Sequence, residues 1–463
     1  RAPHATKGIA LSRLVIVSNR VQIPTEKAPR AGGLAVALGS GLKPGTLWFG
    51  WSGKRGAGGR TPVLHEAQGV TYATVDLTDK EYNEFYVGFS NGALWPLLHY
   101  RLDFLDFLRH EYDGYRGVNA YFAGALLPLL NDDDLVWVHD YQLIPTGLEM
   151  RERGARHRIG FFLHIPFVPP EILDALPCGV PLLKSLCAYD VVGFHTEDHR
   201  RAFLACVSAF LDVSPDEDGS FVYDGRRVRT LSDPIGIDAE EFAAIAARSA
   251  RGAEVRRIRE SLFSRALAIG ADRLDYSKGL PNRFRAFDQL LDRFPEHRGK
   301  ISMLQVAARS REDVDRYQQL RRTLDRLVGD INGRYSEFDW VPIRYMTRAL
   351  SRKSLAGFYR VARVGVVTPL RDGMNLVAKE YVAAQSSADP GVLILSRFAG
   401  AADQLREALI VNPFDADEVA EAINQALTME LPERKERWQA LRETVWAGTP
   451  ELFTQTFLDV LRP

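Results

Sequence analysis

The residues best suited to chemistry in this chain stand in two late segments. Arg273 and Lys278 follow the apolar run ALAIGAD, and Arg371, Asp372 and Glu380 surround Gly373 in TPLRDGMNLVAKEY. Two fixed cations beside a glycine-bearing loop at a helix start suit a pyrophosphate leaving group that no metal neutralises. A glutamate one or two turns into the following helix can accept both hydroxyls of a ribose. A structural ion-pair network would use the same residue types. An earlier group begins with Arg20, at the end of LVIVSNR, followed by AGGLAVAL, where Gly32 and Gly33 read as opening a helix whose amides could approach a phosphate. Trp48, Trp51, Tyr82, Tyr86 and Trp95 then form a dense aromatic stretch. Such rings suit sugar faces and equally an ordinary core.

Three further apolar runs end in histidine or aspartate: His139 and Asp140 in VWVHD, His164 in GFFLHIPF, His195 and His199 in GFHTEDH. The last pair is spaced i, i+4, but Glu197 lies midway between them instead of beside the first, so it is not the H-E-x-x-H pattern of zinc peptidases. Asp132, Asp133 and Asp134 precede the run LVWVH and therefore sit at a strand's amino end. They read as a solvated turn, because sites in open α/β sheets lie at the opposite edge.

The elements that must position these residues are short, continuously apolar runs separated by helix-compatible stretches. Runs beginning at Leu14, Leu135, Ile159 and Asp190 form one series; ALAIGAD, ISMLQVA, VPIRYM, VGVVTPL, GVLILS and ALIVNP form a second. This alternation predicts α/β architecture with two Rossmann-like, doubly wound domains of parallel strands. The expected bounds are a tail over 1–12, domains over 13–238 and 239–447, and a helix over 448–463 that is free to pack back on the first domain. VSPDEDGSFVYDGRRV reads as a turn-rich hairpin before the boundary, and one long charged helix is expected over 239–264. Ligands belong at the carboxyl ends of such strands.

Composition narrows the class. The 463 residues carry 59 Lys+Arg against 59 Asp+Glu, so no global field draws the chain to nucleic acid or an anionic membrane. No stretch of about 18 uncharged apolar residues could span a bilayer, and RAPHATKGIALS lacks the apolar core of a signal peptide. Cys178, Cys187 and Cys206 form no C-x-x-C pair, which fits idle thiols in the cytoplasm.

VIVSNR, AGGLAVAL, WFGWSG, FSNGALWPLLHYR, VWVHDYQL, GFFLHIPF, DRLDYSKGL and TPLRDGMNLVAKEYVAAQ, in that order, resemble the motif series of the trehalose-6-phosphate synthases. The resemblance runs from about Ser12 to the C-terminal region. It implies a GT-B fold with an interdomain cleft and a retaining transfer of glucose from a nucleotide sugar, usually UDP-glucose, to glucose 6-phosphate, giving α,α-trehalose 6-phosphate without metal or cofactor. Carried onto this chain, the acceptor site falls on Arg20, Trp51, Tyr86, Trp95, Asp140 and Arg311, with Arg309 two residues away as the competing phosphate ligand. The donor site falls on Gly33, His164, Arg273, Lys278, Asp372, Met374, Asn375, Leu376 and Glu380. Arg273, Lys278, His164, Asp140 and Asp372 form the catalytic set. The implied route is front-face departure and attack, in which the leaving diphosphate takes the acceptor's proton, rather than a double displacement through two carboxylates about 5–5.5 Å apart. A separate phosphatase is expected to act on the product, and self-association is left open. Rival readings are a pseudo-glycosyltransferase coupling cyclitols, a pyridoxal-phosphate-dependent phosphorylase, and a non-catalytic sugar-phosphate sensor. The sensor would be expected to lack Arg273, Lys278 or Asp372, all of which are present.

Overall fold

A computed structural model describes residues 12–24, 42–56, 60–309 and 315–462. The apolar runs become strands because a parallel sheet covered on both faces needs continuous rather than alternating hydrophobicity. LVWVH, VVGF, VGVV and VLILS are buried at every position. By contact density the chain divides into two units, Arg1–Ser232 with Gln455–Pro463, and Asp233–Thr454.

The first unit is built on β1 (Leu14–Arg20), β2 (Leu47–Arg55), β3 (Val63–Ala67), β4 (Val70–Leu77), β5 (Leu135–His139), β6 (Arg158–Leu163), β7 (Val191–Phe194), β8 (Phe221–Tyr223) and β9 (Arg226–Ser232). Their spatial order is β3-β4-β2-β1-β5-β6-β7-β9-β8. Pairing is parallel except in the two edge hairpins, β3 with β4 and β8 with β9. The order runs outward from β1 in one direction and from β5 in the other, so the topological switch point lies between the carboxyl ends of β1 and β5. Part of the helix Pro450–Leu461 belongs to this unit, where Phe457 stacks on Trp137 with centroids 4.4 Å apart and planes 12° from parallel.

The second unit carries β10 (Ala266–Arg273), β11 (Ile301–Ala308), β12 (Ile343–Met346), β13 (Val364–Val367), β14 (Val392–Ser396) and β15 (Leu409–Val411). All are parallel in the order β12-β11-β10-β13-β14-β15, which puts this switch point between β10 and β13.

Two local expectations are corrected. The single helix over 239–264 is two helices, Ala239–Ser249 and Ala253–Leu262, because Gly252 takes an extended conformation (ψ 160°) that starts the second. The WFGWSG and VTYATVDL segments add two strands, β2 and β4, to the first series. Asp134 is not a solvated turn residue: its carboxylate is 2% exposed and accepts from Arg13 Nη2 at 2.6 Å, tying the amino ends of β1 and β5 together. Asp132 and Asp133 are exposed.

Candidate active site

In the first unit, side chains from five segments converge on the switch point. Arg20 ends β1, and its guanidinium lies 5.8 Å from the centre of the Trp51 ring on neighbouring β2. It passes over Gly53, where any Cβ would sit 2.8 Å from Arg20 Nε and where φ is +88°. The positive φ favours glycine there, and a Cβ would in addition displace the Arg20 guanidinium. Trp51 is anchored by its indole N–H, which donates to Lys54 O at 2.7 Å, and it meets Tyr82 at 5.5 Å and Tyr86 at 6.4 Å between ring centres.

Tyr82 and Tyr86 stack 5.4 Å apart in the segment Tyr82–Leu94, which is wound as a π-helix. Such windings are frequent at functional sites. Asn91 holds the winding in place, donating to Tyr86 O at 2.6 Å and accepting from the Tyr141 hydroxyl at 2.9 Å. Trp95 follows directly and packs against Tyr141 at 5.5 Å. Trp48, by contrast, is a core residue, stacked on Tyr72 and donating to Ser18 Oγ at 2.8 Å.

Asp140 follows β5 with φ +78°, a backbone conformation unusual for a residue with a side chain. Its N–H donates to Phe162 O at 2.9 Å and its Oδ1 accepts from the backbone N–H of His164 at 3.2 Å. Asp140 and His164 are therefore coupled. The His164 ring nitrogens are engaged as well: Nε2 lies 3.0 Å from His139 Nδ1, and Nδ1 lies 3.2 Å from His195 Nε2. Burial lowers His164 well below the usual imidazole range, and the neighbouring His139 adds to the effect.

In the second unit Arg273 ends β10 and is exposed, while Lys278 ends the short turn Tyr276–Lys278. Lys278 Nζ donates to Asp372 Oδ2 at 2.5 Å, and Asn375 Nδ2 donates to the same oxygen at 3.0 Å. The turn reverses at Gly279, with φ +66°, where a Cβ would lie 2.6 Å from Thr368 O. Asp372 is fixed through its backbone: its N–H donates to Phe398 O and its carbonyl accepts from Gly400. Asn375, at φ +79°, caps the helix Leu376–Ala384 by accepting from Ala378 N–H at 3.3 Å. The buried Met374 accepts from Ala401 N–H at 2.8 Å. One turn into that helix, Glu380 is half-buried; burial pushes its carboxyl up to about 7, and Arg352 partly opposes the shift.

The strand ends of the first unit gather an arginine and aromatic rings, and those of the second gather two cations and a capped helix start, residue types suited to sugars and anions. Residues 12–462 match the family described as Glycosyltransferase family 20. The chain belongs to that family. It is 47% identical over 453 residues to the trehalose-6-phosphate synthase of Escherichia coli (strain K12 / DH10B), covering 98% of this chain and 95% of that protein. Among solved structures it resembles a UDP-forming α,α-trehalose-phosphate synthase from Burkholderia xenovorans in complex with glucose-6-phosphate, at 45% identity and TM-score 0.94, covering 98% and 100% of the two chains. It also resembles an E. coli structure bound with UDP-2-fluoro glucose, at 47% identity and TM-score 0.93, covering 98% and 99%.

For this family 20 glycosyltransferase, Gly32, Gly33 and Arg311 lie outside the described residues. Arg309 is described and exposed, its N–H donating to Thr347 O at 3.3 Å. The HTEDH pair is divided: His195 joins His164, whereas His199 is buried in the helix Glu197–Leu211. Reading the sequence missed the supports beneath the site. Arg283, 1% exposed, donates to Asp272 Oδ2 at 2.5 Å, Gln305 Oε1 at 2.9 Å, Thr368 Oγ1 at 3.0 Å and Lys278 O at 3.4 Å. One guanidinium thus joins β10, β11, the loop after β13 and the Lys278 turn. An arginine among apolar residues in LPNRFRAFDQLL was the only available signal. Asn91 and Tyr141, which brace the π-helical turn, carried none.

Proposed function

We infer that this family 20 glycosyltransferase moves glucose from UDP-glucose to the anomeric hydroxyl of glucose 6-phosphate with retention, forming α,α-trehalose 6-phosphate and UDP. What carries the reading is the coincidence of a family match over residues 12–462 with the Lys278–Asp372 pair at the β10–β13 switch point. In the proposed step the bond from the donor anomeric carbon to the diphosphate oxygen breaks, and the new glycosidic bond forms on the same face. The acceptor's hydroxyl proton passes to the departing diphosphate. Arg273 and Lys278 neutralise charge as it develops on that diphosphate, the kind of preorganised stabilisation that contributes most to such transfers.

Asp372 and His164 orient the donor glucose in this scheme, Asp140 sets the acceptor hydroxyl, and Gly33 with the Met374, Asn375 and Leu376 backbone receives the nucleotide side of the donor. Arg20, Trp51, Tyr86 and Trp95 hold glucose 6-phosphate, with Arg311 or Arg309 completing the phosphate grip. The three cysteines are free and buried, as suits a cytoplasmic setting. No helix among the described residues is long and apolar enough to cross a membrane.

The test is to incubate the protein with UDP-, ADP- or GDP-glucose and glucose 6-phosphate in EDTA, and to identify the product and its anomeric configuration. The expected product is α,α-trehalose 6-phosphate, formed fastest from UDP-glucose and unaffected by EDTA. Loss of activity in EDTA with recovery on magnesium or manganese would overturn the assignment of the leaving group to Arg273 and Lys278. A β-linked product would overturn retention.

Glu380 supplies a pH signature. A ribose that donates hydrogen bonds to Glu380 needs the carboxylate, whereas the free protein holds the proton until about pH 7. Donor binding must expel that proton, so affinity for UDP-glucose is expected to rise with pH, by up to about tenfold per unit below the free-state value and levelling above it. Calorimetric titrations across this range check the slope, and Glu380→Gln should flatten it. Burial also raises Asp233 and lowers Lys379 nearby, so a slope that survives in Glu380→Gln would transfer the effect to that pair.

A further inference from the structure

His139, His164 and His195 stand at the carboxyl ends of β5, β6 and β7, three adjacent parallel strands. Strand spacing of about 4.8 Å brings His164 beside His195 and leaves His139, opposite Phe162, diagonal to His164; the ring centres are 5.2 and 5.1 Å apart. The nitrogens form a chain, His139 Nδ1 to His164 Nε2 at 3.0 Å and His164 Nδ1 to His195 Nε2 at 3.2 Å. At the inner end His139 is fully buried, its ring 4.4 Å from that of Trp137, and its Nε2 has no hydrogen-bond partner among the described residues.

That orphan nitrogen decides the direction of the chain. A neutral imidazole has one N–H and one bare nitrogen, and buried N–H groups are left without an acceptor more rarely than buried acceptors are left without a donor. His139 therefore keeps Nε2 bare and carries its proton on Nδ1, which donates to His164 Nε2. His164 must then be protonated on Nδ1, which donates to His195 Nε2, and His195 in turn carries its proton on Nδ1. We propose that His139 and His195 are positioning residues that lock His164 in the Nδ1–H tautomer and in one ring plane, so that this ring meets the donor as a fixed wall. Burial keeps the inner two rings neutral, holding His139 at about 3 and His164 well below its usual range. The kinetic part of the inference rests on the proposed contact between His164 and the donor; the tautomers do not.

Long-range ¹⁵N–¹H correlation spectra of the ¹⁵N-histidine-labelled protein, without ligands, read each tautomer directly. His139→Gln, His164→Gln and His195→Gln assign the three rings by the signals they remove. The expected pattern is three neutral Nδ1–H rings near pH 7; an Nε2–H tautomer or an imidazolium at any of the three overturns the inference. Kinetics supply the second readout. Glutamine at 195 can still accept from His164 through its amide oxygen, whereas leucine cannot, and an unpaired buried donor is costly. His195→Leu should lower kcat about tenfold or more while changing KM for glucose 6-phosphate by less than about twofold, and His195→Gln should recover most of kcat. Equal kcat in wild type, His195→Leu and His195→Gln would overturn the positioning role. Should wild-type protein form no trehalose 6-phosphate, the functional reading fails while the tautomer pattern is still decided by the spectra.

Discussion

Lys278→Ala is expected to lower kcat/KM by about 10²–10³, the scale of removing one preorganised donor from a developing anion. The ammonium is held at 2.5 Å from Asp372 Oδ2, with the two side chains only 12% and 14% exposed. Its removal therefore does more than delete a cation. It also strips the Lys278 charge from the Asp372 carboxylate beside the place where the leaving diphosphate is proposed to gather negative charge. Lys278→Arg should rescue only partly, because a planar guanidinium on a longer stem cannot take the place of a point charge in that geometry. Arg273→Ala should show a loss of the same order, since Arg273 ends β10 at the same switch point. Steady-state rates with UDP-glucose as varied substrate check both, and wild-type turnover in both variants would remove the two cations from the mechanism.

Arg283→Met is expected to cost about 3–5 kcal/mol of stability in the second unit, the usual penalty for stripping one partner from a buried ion pair. Arg283 and Asp272 are 0% and 3% exposed as side chains, and methionine of similar length leaves the Asp272 carboxylate buried without its cation. At about 2–4 °C per kcal/mol for a unit of this size, the midpoint of thermal unfolding should fall by roughly 6–20 °C. Adding Asp272→Asn should recover much of the loss, since removing both charges is far less costly than removing one. Scanning calorimetry separates these outcomes; a fall below about 1 kcal/mol would show that another group satisfies Asp272. The variant should also lose activity, because the same guanidinium contacts Lys278 O and Thr368 Oγ1.

What the sequence determined by itself was the sheet-forming runs and the residues that follow them. A strand buried on both faces must be apolar throughout, and the next polar residue necessarily falls at its carboxyl end. Arg20, Asp140, His164, Arg273 and Asp372 were legible as strand-end residues for that reason, and the order of motifs was enough to point to the family. What only the tertiary structure decided were relations between residues far apart in the chain. The pairing of Lys278 with Asp372 spans 94 positions and depends on β10 and β13 being neighbours at the switch point. The histidine chain exists because β5, β6 and β7 are adjacent, with His139 opposite Phe162 and therefore diagonal to His164, and no local pattern announces which strands will be neighbours. Arg283 looked like one arginine among many until four segments closed around it, and Asp134 looked solvated until Arg13 met it across the sheet. The π-helical winding of Tyr82–Leu94 depends likewise on hydrogen bonds through Asn91 to Tyr141, fifty residues away. Burial periodicity is written locally and can be read from one chain; the partner of a buried polar group is set by sheet order and register, which come into being only when the chain folds.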